Sequence, residues 1–83
     1  MSEEDRIAQA LELVKADRRA EAQEIVAEII RANRHYARAW ILMAKIVEDP
    51  EQALQCWEQV ARLKPDDPRV QQEIAMLKGE SAP

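Results

Sequence analysis

The chain has 83 residues and a formal net charge of −4, with 47% hydrophobic and 34% charged residues. This length allows one domain with a single hydrophobic core and excludes a second domain. The lone cysteine, Cys56, excludes an internal disulfide, and no further Cys or His cluster stands at a metal-ligand spacing. Because glycine and strand-forming residues are scarce, the composition favours an all-α fold.

Positive charge is concentrated in the middle of the sequence, between Ile29 and Val47. This segment contains no acidic residue, so the rest of the chain is strongly acidic. Its basic residues are Arg31, Arg34, Arg38 and Lys45. Proteins that bind nucleic acid usually present a net basic surface that releases counterions from phosphates, so we expect no nucleic-acid partner.

The first residues, Met1–Asp5, are acidic where a secretory signal is basic and then apolar. No apolar run approaches the roughly 20 residues that span a bilayer. We therefore expect a cytoplasmic protein with no membrane segment in this chain, and the single cysteine fits a reducing compartment.

Two helices are predicted in the first half of the chain. Ser2 followed by Asp5 resembles a capping box, and the helical spacing of the apolar residues after it predicts a first helix over about 3–16. A polar break follows. The broad apolar stripe within Ala22–Ile30 then predicts a second helix that ends near Asn33.

Three more helices are predicted in the second half. The apolar period of Ala37–Val47 indicates a third helix, which cannot continue through Pro50. Asp49 and Pro50 form a start signal for a fourth helix, as N-cap and first helical residue. The same signal at Asp67–Pro68 starts a fifth helix, which ends at Lys78–Gly79.

Helices joined by turns of a few residues pack antiparallel to their sequence neighbours, so the chain is expected to form a row of about five antiparallel helices. We assign residues 1–4 to an N-terminal cap or frayed end, 5–78 to the helical domain, and 79–83 to a tail or linker.

The sequence also contains an internal repeat, a helix pair of about thirty residues. Its two copies become visible when residues 18–34 are aligned with residues 49–65. This alignment pairs Ala22 with Ala53, Val26 with Trp57, and Ile29 with Val60.

The second copy resembles a tetratricopeptide repeat. Trp40 stands where that family keeps a large residue early in its first helix, and Met43-Ala44 matches its large-small pair. The matches in the second helix are Ala53, Trp57, Val60 and Pro65. The turn at 47–53 departs from the family pattern, because it is about three residues short and has Asp49-Pro50 in place of glycine.

The resemblance covers about residues 5–78. It comprises a degenerate repeat at about 5–34, a better one at about 37–65, and a capping helix at about 68–78. It implies a right-handed superhelix of α-α hairpins that serves as a protein-protein interaction scaffold.

The resemblance further implies that the first helices of the pairs line a concave groove. The residues expected there are Ile7, Leu11, Arg38, Ile41, Leu42 and Lys45, with Arg69 and Gln72 from the fifth helix. Aliphatic side chains with a basic rim suit a protein or peptide partner that is acidic and amphipathic. The alternative for this surface is that Ile41 and Leu42 are packed and the basic residues are merely solvated.

No catalytic constellation is present in the sequence. Glycine-rich phosphate loops, nucleophilic triads and zinc sites all lack their parts, so we expect no enzyme activity, no cofactor and no metal. We expect Cys56 to be buried and inert and His35 to be a solvated turn residue.

Two other functions stay open at this point. A row this short has fewer than the roughly three repeats that usually make such an array stable. The chain could therefore be a structural homo-oligomerisation domain, such as a homodimer, or the N-terminal accessory domain of a longer regulatory protein.

Overall fold

The computed structural model describes residues 2–79, and the predicted tail lies outside these residues beyond Gly79. The described chain consists of five α-helices and contains no strand, which confirms the all-α prediction. The helices are α1 (Glu3–Lys15), α2 (Arg19–Ala32), α3 (Ala37–Ile46), α4 (Pro50–Leu63) and α5 (Pro68–Leu77).

The N-termini of three helices are fixed by the side chains that the sequence suggested. The hydroxyl of Ser2 accepts a hydrogen bond from the backbone N–H of Asp5 at 3.2 Å, at the start of α1. Asp49 Oδ1 accepts from the N–H of Glu51 at 2.9 Å, and Asp67 Oδ1 caps α5 in the same way. These bonds satisfy backbone donors that have no partner within the helix.

The end of α1 is a tight turn built on a left-handed residue. Asp17 has φ of 61°. The N–H of Asp17 donates to the carbonyl of Val14 at 3.0 Å, and the N–H of Arg18 donates to the carbonyl of Leu13 at 2.8 Å. This pair of bonds is the Schellman arrangement, which usually has glycine at the left-handed position.

Sequence neighbours pack against each other along the whole described chain, because the connections contain only three or four residues. The Cα atoms span 43 × 25 × 16 Å. Two layers of helices about 10 Å apart, each with a Cα radius of about 2.3 Å, account for the 16 Å thickness. Because α2 packs on both α1 and α3, and α4 packs on both α3 and α5, we place α1, α3 and α5 in one layer and α2 and α4 in the other.

Two hydrophobic clusters hold the layers together. The first lies between α1, α2 and α3 and includes the fully buried Ala10, Ala22 and Val26. The second lies between α3, α4 and α5 and includes Trp57 and Val60. Since Met43 packs against both clusters, the core is continuous through α3.

Candidate functional site

A shallow groove separates α1 from α3 on the layer of odd-numbered helices. We call it the α1–α3 groove, and it has a volume of about 230 Å³. The residues that line it are Ile7, Leu11, Arg38, Ile41, Leu42 and Lys45. The structure thus brings together six of the eight residues that the sequence suggested for partner binding.

The floor of the α1–α3 groove belongs to the protein core. Ile7 is 4% exposed and Leu42 is 7% exposed, and both are part of the first hydrophobic cluster. Ile41 is half-buried. Leu11, by contrast, is 41% exposed and forms an open apolar wall. A ligand in this groove would therefore bury Leu11 and Ile41, while Ile7 and Leu42 already contribute to folding.

The charged residues of the α1–α3 groove are both basic. Arg38 and Lys45 are exposed, and within residues 2–79 neither of them forms an ion pair. The segment between Ile29 and Val47, which carries both of them, contains no acidic residue. Two unpaired cations beside an aliphatic strip make this groove attractive to negative charge.

A second depression continues the first across α3, and we call it the α3–α5 depression. It shares Ile41 and Lys45 with the groove. Its other lining residues are Trp57, Lys64, Asp67, Arg69, Val70 and Glu73. Its charge is mixed, and Nε of Arg69 lies 3.7 Å from Oδ1 of Asp67.

Of the two candidates on α5, Arg69 lines the α3–α5 depression, whereas Gln72 is exposed and lies outside both surfaces. Glu73, one residue further, lines the depression instead. Sequence reasoning also missed Trp57 and Val70 at this surface. Both occupy core positions in the apolar pattern, and such a pattern does not distinguish full burial from burial beneath a surface depression.

The two residues with reactive side chains lie apart from the α1–α3 groove. Cys56 is buried at 8% exposure, and burial raises the pKa of its thiol above the ordinary value. His35 is exposed in the turn between α2 and α3. Within residues 2–79, no group of three or more His, Cys, Asp and Glu side chains could hold a metal ion.

The groove is smaller than the roughly 300–1,000 Å³ of typical small-molecule pockets, and its size suits a few side chains of a larger ligand.

No helix in the described part of the chain has both the length and the apolar character needed to cross a membrane. No family model matches the sequence, and the comparison with curated proteins gives no match.

Proposed function

We propose that this chain is a protein-interaction module of the tetratricopeptide-repeat type that binds an acidic, amphipathic peptide or partner helix in the α1–α3 groove. The observation that carries the proposal is the coincidence of exposed aliphatic surface with two unpaired cations in one groove. The module acts by binding, without catalysis of its own, in the cytoplasm.

The packing of the helices supports the assignment to this repeat type. Small residues at the helix contacts allow the close approach that paired helices of such repeats require. Ala10 and Ala22 are fully buried between α1 and α2, and Ala44 and Ala53 are buried on α3 and α4. These are the small positions of the two repeat copies.

The aliphatic and the basic residues of the groove contribute differently to binding. The aliphatic side chains supply affinity as they are removed from water, and the cations select acidic partners and speed their approach. Because Arg38 and Lys45 are exposed, their contribution falls as salt increases.

The experiment that tests the proposal is selection of peptides from a random 12-residue display library. The library is first depleted of peptides that bind the Arg38→Glu/Lys45→Glu double variant, because these peptides bind outside the groove. The remaining peptides are then selected on the wild-type protein. We expect the enriched peptides to be acidic and rich in Leu or Ile. In spectra of the methyl groups, we expect the bound peptides to shift the signals of Leu11 and Ile41.

The matched control is the Arg19→Glu/Arg31→Glu double variant. Arg19 begins α2 and Arg31 lies in its last turn, just as Arg38 and Lys45 lie in the first and last turns of α3. This control should bind the selected peptides as wild type does. Peptides that are neutral or basic, or whose binding is lost in the control instead, would place the site elsewhere and contradict the proposal.

A further inference from the structure

The surface depressions differ in the sign of charge that they present. The α1–α3 groove is lined by two basic residues and no acid, whereas the α3–α5 depression mixes basic residues with Asp67 and Glu73. A third depression, at the α3–α4 turn, contains Glu48 and Glu73 beside Lys45. Lys45 lines all three depressions, so the α1–α3 groove differs from its neighbours by Arg38 and by the absence of a lining carboxylate, and it attracts an acidic ligand more strongly.

One further depression, lined by residues of α2, α3, α4 and the α2–α3 turn, is also purely basic. Its charged residues are Arg31 and Arg34, and Ile30, Trp40 and Gln59 complete its lining. The Nε1–H of Trp40 is already bonded to the carbonyl of Arg34 at 2.9 Å. This depression lacks the strip of aliphatic side chains between its cations that the α1–α3 groove has.

The two cations of the groove have a defined spacing. Arg38 and Lys45 are seven residues apart on α3, which is about two helical turns and a rise of about 10.5 Å. Ile41 and Leu42 stand midway between them on the same face. The groove therefore presents a cation, an aliphatic pair and a second cation in a line parallel to the axis of α3.

Of the regular ligand conformations, an α-helix matches the backbone spacing of this line most closely. In an extended strand, the side chains on one face repeat at about 6.6 Å or 13 Å, so none falls at 10.5 Å. A polyproline helix repeats at about 9.3 Å, but it docks in aromatic-lined grooves, and no aromatic residue lines this one. A helix that lies parallel to α3 has the same rise and presents the same period.

We propose that the partner segment is an α-helix with two carboxylates seven residues apart and a large aliphatic residue three or four positions after the first. Laid along the α1–α3 groove, its carboxylates pair with Arg38 and Lys45, and its aliphatic residue covers Leu11 and Ile41. This inference rests on the proposed function and specifies the partner of the same site.

The test uses two fluorescein-labelled, alanine-rich peptides of identical composition, matched for helicity by circular dichroism. One has Glu at positions i and i+7 with Leu at i+3 and i+4. In the other, the second Glu is moved to i+5, which turns it to a different face of the helix. By fluorescence anisotropy at low salt, we expect the first peptide to bind about fivefold tighter.

The preference should follow the charges of the groove. High salt should abolish it because exposed pairs are screened. A third peptide, in which Lys replaces both Glu residues at i and i+7, should bind the Arg38→Glu/Lys45→Glu variant more tightly than the Glu peptide does. The Arg19→Glu/Arg31→Glu control should keep the wild-type preference. Any other pattern in these variants would overturn the inference.

The two possible failures are distinguishable. Equal binding of both peptides, lost when Leu11 is changed to the uncharged, polar Gln, would overturn the spacing while leaving the groove as the binding site. If neither peptide binds at about millimolar concentration, where even weak groove contacts register, the proposed function is overturned as well.

Discussion

Trp40 and Trp57 have different tasks in the structure, although both are large residues of the same repeat copy. Trp57 is 8% exposed and lies in the second cluster, in contact with the core formed by α3, α4 and α5. Trp40 is half-buried, and its indole N–H ties the helix to the carbonyl of Arg34 in the preceding turn. Trp57 therefore fills volume, and Trp40 fixes the entry to α3.

Replacement of Trp57 by Ala should lower the free energy of unfolding by about 3–5 kcal/mol, because it leaves a cavity in a small core. Urea denaturation followed by circular dichroism measures this loss independently of tryptophan fluorescence. Trp57→Phe keeps most of the aromatic volume and should cost less. A loss below about 1 kcal/mol for Trp57→Ala would contradict the core assignment.

The buried thiol of Cys56 should make stability depend on pH above neutrality. Burial raises the pKa of this thiol in the folded chain, while in the unfolded chain the thiol ionises near its ordinary pKa of about 8.5. The neutral thiol thus contributes stability below that pH, and this contribution is lost as pH rises through the folded-state pKa.

The comparison of wild type with Cys56→Ala isolates this effect. The urea midpoint is measured at pH 7 and at about pH 10, which is above the ordinary thiol pKa. The decrease in midpoint between these two pH values should be larger in wild type than in the variant. Other groups that titrate in this range are present in both proteins and cancel. A pH dependence that is identical in the two proteins would show that the thiol is accessible to ionisation when folded.

At the scale of the elements, hydrogen bonds at the helix ends determine how one helix leads into the next. The Schellman turn after α1 is made by Asp17, an L-residue with φ of 61°. A Cβ in the left-handed region costs energy that glycine avoids. The turn also determines how α2 folds back on α1, since Arg18 donates to α1 and precedes the first residue of α2.

Asp17→Gly should therefore stabilise the protein by about 0.5–1 kcal/mol, after the greater freedom of glycine in the unfolded chain is subtracted. Thermal unfolding by circular dichroism should show a higher midpoint. Asp66→Gly is the matched control, because Asp66 lies in the α4–α5 turn and has no positive φ. Asp66→Gly should not raise the unfolding midpoint. An increase as large as that of Asp17→Gly would contradict the argument from backbone strain.

The same turn illustrates what the sequence can and cannot predict. The starts of α4 and α5 were predictable because an Asp followed by Pro fixes both the cap and the first helical φ. The polar break after α1 was also recognisable, but its geometry was not, because the left-handed position holds Asp instead of the usual glycine. The local sequence signals therefore predicted where the helices lie, but they did not predict the backbone geometry of the turn between α1 and α2.

The prediction of the candidate groove rested on the resemblance to tetratricopeptide repeats, and helix periodicity accounts for which residues of α3 face it. Residues at i, i+3, i+4 and i+7 of α3 must share a face, so Arg38 and Lys45 were bound to flank Ile41 and Leu42. On α5 the prediction depended on the rotation of a single helix. One residue turns the side chain by about 100°, which is the difference between the exposed Gln72 and the lining Glu73.

For the whole molecule, the arrangement in a row determines which surfaces are available. Each helix packs mainly on its sequence neighbours, so among the five helices of residues 2–79, α1 and α5 each have one side without a helix beside them. Among residues 2–79, the large hydrophobic side chains that remain exposed are Leu11 on α1 and Met76 on α5. They lie on the first and last helices and do not join into one apolar patch.

We therefore expect the protein to be a monomer of 9.5 kDa at concentrations from about 1 μM to 1 mM. A stable dimer usually buries about 800 Å² on each partner, and within residues 2–79 the large exposed hydrophobic side chains are Leu11 and Met76, on a chain of net charge −4. Sedimentation equilibrium across this range measures the mass directly.

The Leu11→Glu variant tests whether any self-association uses the α1–α3 groove. If the mass of wild type doubles with concentration and that of the variant does not, a second copy of this chain occupies the α1–α3 groove, and the homo-oligomer replaces the acidic partner as the function of this surface. If both proteins stay monomeric, Leu11 is exposed without covering a dimer contact. Its exposed area beside Arg38 and Lys45 is then available to a separate partner, as the proposed function requires.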